Sequence, residues 1–241
     1  MNELTPEQQL LFELDNYQPE MVLKTPGPWT HLLWDMDGTL LNSVVAIERR
    51  LRETMLRFGV TPPTDHNLRY LIGPPTGSSL ARFIGPDHIE QAREFYHSLS
   101  LRDGLIDQHL FSWIPHVLAE LYEAGIPMAV ATSKPQAEAE RICQAFEIDH
   151  YFAAIVGASE ARSDKAGVIA EGLKQLGVSG AATSEQPVMI GDRYFDTEGA
   201  LRNNIPTILV RWGYAYHTEF AGAMYTVADG HDLLGLLRAP A

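Results

Sequence analysis

The run His31-Leu32-Leu33-Trp34 leads directly into Asp35-Met36-Asp37-Gly38-Thr39-Leu40. A short apolar run bounded by a turn signal reads as a buried strand, which places two carboxylates, two positions apart, at its end. Burying an unpaired charge is costly, and packing gives no reason to do it twice. A site that holds a cation and carries out nucleophilic chemistry accounts for both residues. A strand followed by an ordinary Asp-Gly turn would explain Asp37-Gly38 but not Asp35.

Strand-like and helix-like segments then alternate, the pattern of an α/β protein with a parallel sheet. Strands are expected at 31–34, 127–131, 154–156, 188–190, 207–211 and 225–227, with helices at 115–124, 135–146, 165–176, 197–203 and 232–238. Pro135 suits a first helical position, where its missing N–H is no loss. Between residue 43 and about 113 the strand signal vanishes. Ile47, Leu51, Met55 and Phe58 form one helical face, and Ile89, Ala92, Tyr96 and Leu99 a second. This block reads as a helical insertion over the carboxyl edge of the sheet. Ahead of the first strand, Thr5-Pro6-Glu7-Gln8 followed by Leu10, Leu11 and Leu14 predicts a capped short helix. Lys24-Thr25-Pro26-Gly27-Pro28 reads as a linker. The helix either packs on the rest of the chain or docks a partner.

The chain of 241 residues suffices for one core domain plus an insertion. No apolar run approaches the roughly 20 residues that span a bilayer, and the first twenty residues lack the order of a signal peptide. A cytoplasmic location is expected, and the single cysteine, Cys143, fits a reducing compartment. Its neighbours Ile142, Ala145 and Phe146 give it a packing role. With 31 acidic and 18 basic residues the formal charge is −13, which disfavours nucleic-acid binding and repels anionic ligands at long range. An anionic substrate would need positive charge supplied locally.

Ligands of open parallel sheets bind outside the carboxyl ends of the strands, and three more polar clusters fall there. Thr132-Ser133-Lys134-Pro135 offers hydroxyls and helix-start N–H groups of the kind that bind phosphate, although Thr132 also suits an ordinary N-cap. Lys165 opens a helix, as a site cation or a surface lysine, with Arg162 three residues earlier as a second candidate. Gly191-Asp192-Arg193-Tyr194-Phe195-Asp196 follows a strand, an order that an acidic helix start does not predict. There is no GxxxxGK[ST] phosphate loop, no GxGxxG turn after a strand, and no histidine pair at zinc-ligand spacing. His31 reads as a core or edge residue.

Taken in order, DxDGT at 35–39, Thr132, Lys165 and GDxxxD at 191–196 resemble the four motifs of the haloacid dehalogenase superfamily of aspartate-nucleophile phosphatases. The likeness covers residue 32 to about 238. Ile72-Gly73-Pro74-Pro75 and Trp212-Gly213-Tyr214 are similar to the branch with a small helical cap that contains phosphoglycolate phosphatases and bacterial 5′-nucleotidases. The resemblance implies a Rossmann-like parallel-sheet core over 29–42 and 114–241, a cap over 43–113, and a lead-in over 1–28. It makes Asp35 the nucleophile and Asp37 the general acid/base. Thr132, with Ser133 adding a contact, would meet the phosphoryl group, and Lys165 would neutralise charge. Mg2+ would be held by Asp35, Asp192 and the backbone carbonyl of Asp37. Asp196 would orient the site or steady Lys165, and the cap loop from Gly73 to Ser78 would select substrates.

The activity so implied is magnesium-dependent hydrolysis of a small phosphomonoester such as phosphoglycolate, through an aspartyl phosphate. A nucleoside 5′-monophosphate phosphatase and a phosphosugar mutase share these motifs. A haloacid dehalogenase has no use for Asp37, and a non-catalytic regulatory protein would keep only the fold. The implied partner is a small phosphate ester, with neither nucleic acid nor membrane, and the oligomeric state is open.

Overall fold

The computed structural model describes residues 4–24, 27–179 and 185–238. Part of the expected linker (Thr25, Pro26) and Met1 to Glu3 lie outside the described residues. In chain order the elements are α1 (Pro6–Asp15), β1 (His31–Trp34), β2 (Leu41–Asn42), α2 (Val44–Arg57), α3 (Asp65–Leu68), α4 (Thr76–Ala81), α5 (Ile89–Asp103) and β3 (His109–Leu110). There follow α6 (Ile114–Glu123), β4 (Met128–Pro135), α7 (Gln136–Ala145), β5 (Ala154–Ala158), α8 (Lys165–Gln175), β6 (Pro187–Gly191), α9 (Tyr194–Arg202), β7 (Thr207–Val210), β8 (Tyr225–Val227) and α10 (Gly230–Leu237).

Among the described residues, six strands form one sheet in the order β5-β4-β1-β6-β7-β8, every neighbouring pair parallel. In β1, Leu33 stands opposite Ala129 on one side and Met189 on the other. Successive strand side chains point to opposite faces, and the core follows that period. Leu32 and Trp34 join Val130, Ile190 and Ile208 under α6, α7 and α10, whereas Leu33 joins Ala131, Val156 and Met189 under α8 and α9. Both faces are therefore covered, as an all-parallel sheet requires. Cys143 is fully buried in the first of these clusters.

Two expected boundaries are wrong for identifiable reasons. β4 runs on to Pro135 through a register shift after Ala131, and Pro135 is the cap of α7, not its first residue. The ring of Pro135 disfavours helical geometry at the residue before it, so Lys134 stays extended. α9 begins at Tyr194, three residues before the expected start, because the Asp196 carboxylate accepts the N–H groups of Asp192 and Arg193, at 3.0 Å each, and so caps the first turn. The antiparallel pair β2 and β3 was not expected, since two residues are too few to show alternation.

The helices between β2 and β3 close on their own apolar cluster, built from Ile47, Leu51, Met55, Leu68, Leu80 and Ala92. α1 joins it through Leu10 and Leu14. Thr5 and Gln8 form the reciprocal cap that the sequence predicts. The helix packs across two regions: Glu7 accepts from Asn67 (2.6 Å) and Glu13 from Arg82 (2.6 Å), while Leu14 and Asp15 accept from Thr218 (2.6 Å) and Tyr216 (2.5 Å). Among the described residues, no helix is long and apolar enough to cross a membrane.

Candidate active site

From β1 the chain steps outward to β4 and β5, then returns to the other side of β1 with β6 and steps outward again to β7 and β8. The order of strands thus reverses between β1 and β6, which is where a parallel sheet opens a crevice at its carboxyl edge. Asp35 follows β1 directly and Asp192 follows β6 directly. The Asp35 N–H donates to Ile190 O at 2.8 Å, so the ladder itself sets their spacing.

Asp35, Asp192 and Asp196 are all buried, and each offers an oxygen within 4.8 Å of the others. The backbone closes tightly around Asp192. Gly38 has φ +81°, and a Cβ there would stand 2.1 Å from Asp192 Oδ2; one on Gly213 would stand 2.3 Å from Asp192 Cβ. Only glycine permits that approach, which gives the Trp212-Gly213-Tyr214 segment its physical reason. Asp192 Oδ2 accepts the Tyr214 N–H at 2.7 Å, whereas Oδ1 is buried and has no hydrogen-bond partner among the described residues. An orphaned oxygen on a carboxylate that sits within 4.8 Å of two others is costly by itself. It suits a hard divalent cation that takes oxygen ligands, and the residues present fit Mg2+.

The electrostatics agree. Burial, with the neighbouring Asp196 and Asp37, pushes Asp35 up to about 7 although Lys165 pulls it down. Burial and the charges of Asp196 and Asp35 hold Asp192 well above the carboxylate range. Lys165, the first residue of α8, places Nζ against Asp35 Oδ1 and 2.8 Å from Asp196 Oδ1. Burial would lower its pKa, but the attraction of Asp196 and Asp35 prevails and the ammonium is held above its usual value. One lysine cannot balance three carboxylates, so the cluster is short of positive charge.

The Asp37 carboxylate stands outside this triad. Ser43 Oγ donates to its Oδ1, and Lys134 Nζ lies 3.0 Å from its Oδ2. Lys134 is also 3.7 Å from Glu138, which in turn accepts from Ser100 of α5 at 2.8 Å. Burial opposes the Lys134 charge, yet Asp37 and Glu138 outweigh it and raise its pKa. The sequence alone does not single out Lys134, because the apolar run of β4 ends at Ala131. Two residues apart in an extended segment, Thr132 and Lys134 face the same side, and that period was the available signal.

Thr132 is buried and its hydroxyl accepts the Lys134 N–H at 3.3 Å; the Ser133 hydroxyl is buried and has no partner among the described residues. Arg162 is not brought to the site: it donates to Gly157 O (3.3 Å) and to Gln136 (3.2 Å) beside β5. His31 is half-buried, pairs with Thr30, and burial lowers its pKa. Gly73 lies against Arg193 and Phe195, in the segment that carries Asp192. Tyr214 was also missed as a site residue. Its N–H holds Asp192, and its hydroxyl accepts the Ser43 N–H at 2.8 Å, which joins the two halves of the site.

The sequence profile of the haloacid dehalogenase-like hydrolase family matches residues 32–210. The tyrosine-protein kinase PtkA of Mycobacterium tuberculosis is 35% identical over 193 residues, a match that takes in 79% of this chain and 65% of that protein. A 5′-nucleotidase of Pseudomonas aeruginosa is 32% identical over 195 residues, 79% of this chain and 86% of the relative. Among solved structures, a haloacid dehalogenase-like hydrolase from Streptococcus pneumoniae superposes with a TM-score of 0.78 at 29% identity, over 86% of this chain and 98% of the other.

Proposed function

This chain belongs to the haloacid dehalogenase-like hydrolases, and from that premise we propose that it is a Mg2+-dependent phosphatase of small phosphomonoesters of the phosphoglycolate type, acting through an aspartyl phosphate on Asp35. The observation that carries the reading is the buried meeting of Asp35, Lys165 and the unpartnered Asp192 Oδ1 at the carboxyl edge of the sheet. Asp35, Asp192 and the backbone carbonyl of Asp37 would hold the cation, while Asp196, whose oxygens accept the Asp192 and Arg193 N–H groups and meet Lys165, would steady that lysine beside them. The bound ion would act as a Lewis acid toward the phosphoryl oxygens.

In the first step an Asp35 carboxylate oxygen attacks phosphorus and the ester C–O–P linkage breaks at the P–O bond. Asp37 delivers a proton to the departing alkoxide. In the second, Asp37 takes a proton from water as the water oxygen attacks phosphorus, which frees inorganic phosphate and restores Asp35. Lys165 stabilises charge on the nucleophile side, and Thr132 and Ser133 supply hydroxyls to the phosphoryl oxygens. The helical block over 43–113 acts as a cap that selects the alcohol half of the ester, with Gly73 in its loop. The single buried cysteine fits work in the reducing cytoplasm.

A second reading, hydrolysis of nucleoside 5′-monophosphates, is favoured by the name of the Pseudomonas relative. A panel of phosphoglycolate, nucleoside monophosphates and sugar phosphates, compared by kcat/KM with Mg2+ present, tests the proposal. Preference for a short phosphomonoester supports it, and a nucleotide preference supports the second reading. An absolute need for a bisphosphorylated activator would identify a mutase, and no hydrolysis of any ester would leave a non-catalytic protein on this fold.

A further inference from the structure

The residue immediately after Asp192 does work that the mechanism above does not use. Arg193 is buried, and its guanidinium ties together three separate stretches of chain. Nε and Nη2 donate to Glu219 at 2.9 and 3.0 Å, Nη2 donates to Tyr70 O at 3.2 Å, and Nη1 donates to Ile72 O. Glu219 is fully buried as well, and it accepts the N–H groups of Tyr194 (2.8 Å) and Tyr216 (3.2 Å). A buried ion pair is weak evidence for stability, since apolar residues of similar volume usually do as well; its best-attested use is to fix one arrangement over others.

What it fixes here is specific. Tyr70 and Ile72 end the 3-10 turn Arg69–Leu71, whose last carbonyls have no partner in the turn itself. Beyond them Gly73, at φ +124°, and Pro74-Pro75 carry the chain into α4. Gly73 rests so closely on Arg193 that a Cβ would stand 3.1 Å from Arg193 Cγ and 3.3 Å from the Phe195 ring. The loop of the helical block is thus seated on the same backbone segment that presents Asp192. A planar guanidinium spreads its donors over three nitrogens and so reaches a carboxylate and two carbonyls of another segment at once; an ammonium holds its three donors on one nitrogen and does not span them.

We propose that Arg193, held by Glu219, is a positioning residue for substrate selection: it sets the height and register of the loop at residues 70–75 relative to Asp192, and thereby which alcohol halves fit beside the phosphoryl group. This rests on the phosphatase reading above. The test is the ratio of kcat/KM for the best ester of the panel to kcat/KM for p-nitrophenyl phosphate, measured with the melting temperature for Arg193→Lys, Glu219→Gln and Gly73→Ala. The last variant changes neither member of the ion pair and crowds the loop against the Arg193 and Phe195 side chains.

The ratio is expected to fall about 10- to 100-fold, the scale of a displacement of roughly 1 Å near a reacting centre. It should fall in the Gly73 variant and in whichever ion-pair variants remain folded. A ratio that stays at the wild-type value while both activities fall together marks a merely structural pair and overturns the proposal. So does a ratio unchanged in Gly73→Ala. Wild-type protein that hydrolyses neither substrate sinks the phosphatase reading itself, a different outcome from an active enzyme whose selectivity ignores Arg193.

Discussion

Lys134 Nζ stands 3.0 Å from Asp37 Oδ2, and the Ser43 hydroxyl holds the other oxygen, so β4 and the residue ahead of α2 grip one carboxylate between them. Both members of the ion pair are largely buried. Removing one partner of such a pair leaves the other charge desolvated. Lys134→Met is expected to cost about 3 kcal/mol of stability, with Asp37→Asn in the same chain restoring about 1 kcal/mol or more of it. Denaturant unfolding of the two single variants and the double variant measures that coupling; strictly additive losses would show that the pair does not interact.

The acidic triad makes an opposite prediction for Asp192. Its Oδ1 is orphaned and its neighbours are like charges, so Asp192→Asn relieves repulsion and should raise the melting temperature of the metal-free protein. On the proposed reading Mg2+ should stabilise the wild-type chain, by about 2.7 kcal/mol at a hundred times the dissociation constant, and the same change should abolish that stabilisation. Chelation with EDTA should return the wild-type melting curve to its metal-free position and stop turnover. Equal Mg2+ shifts in both proteins would mean that the ion binds elsewhere.

How much of this was legible beforehand differs by residue. Asp35, Asp37, Lys165, Asp192 and Asp196 stand in short runs at strand ends or helix starts, where the type of each residue carries its own chemical signal. The parallel sheet follows from alternation of apolar runs with amphipathic helices, whereas the spatial order of its strands does not. Lys134, Ser43, Tyr214 and the Arg193–Glu219 pair were not legible. Each acts on a residue distant in sequence, and a lone lysine or tyrosine reads as surface or core until the chain is folded. The extension of β4 and the early start of α9 were hidden for a related reason, since a proline and a capping carboxylate decide them locally against the wider pattern.

Cys143 supplies a pH test. Burial pushes its thiol up to about 12, with Asp149 adding to the effect. In the unfolded chain a cysteine ionises near about 8.5, so between these values the native state keeps a proton that the unfolded state loses. Stability from this group is therefore fully present below about 8.5 and declines as pH rises toward 12. At pH 8 the native protein should not react with a disulfide reagent, whereas one thiol per chain should react after unfolding in denaturant. Rapid labelling without denaturant would contradict the burial.

The helix α1 buries Leu14 at 3% exposure and carries bonds to two distant stretches of chain. Leu14→Ala is expected to cost about 2–4 kcal/mol, the range for truncating a packed leucine. Phe12→Ala on the exposed side of the same helix should cost under about 0.5 kcal/mol. Equal losses in the two variants, measured by urea unfolding, would mean that the helix is not docked as described.

The central claim, that Asp35 is the nucleophile, is tested most directly by trapping. Asp37→Ala should slow hydrolysis of the aspartyl phosphate about 10²- to 10⁴-fold, the usual loss for a general base. Acid quenching during turnover of p-nitrophenyl phosphate, followed by peptide mass mapping, should then find one phosphoryl group on Asp35. The adduct should be absent from an Asp35→Asn variant that has no turnover. A phosphoryl group on any other residue, or near-normal turnover by Asp35→Asn, would contradict the mechanism.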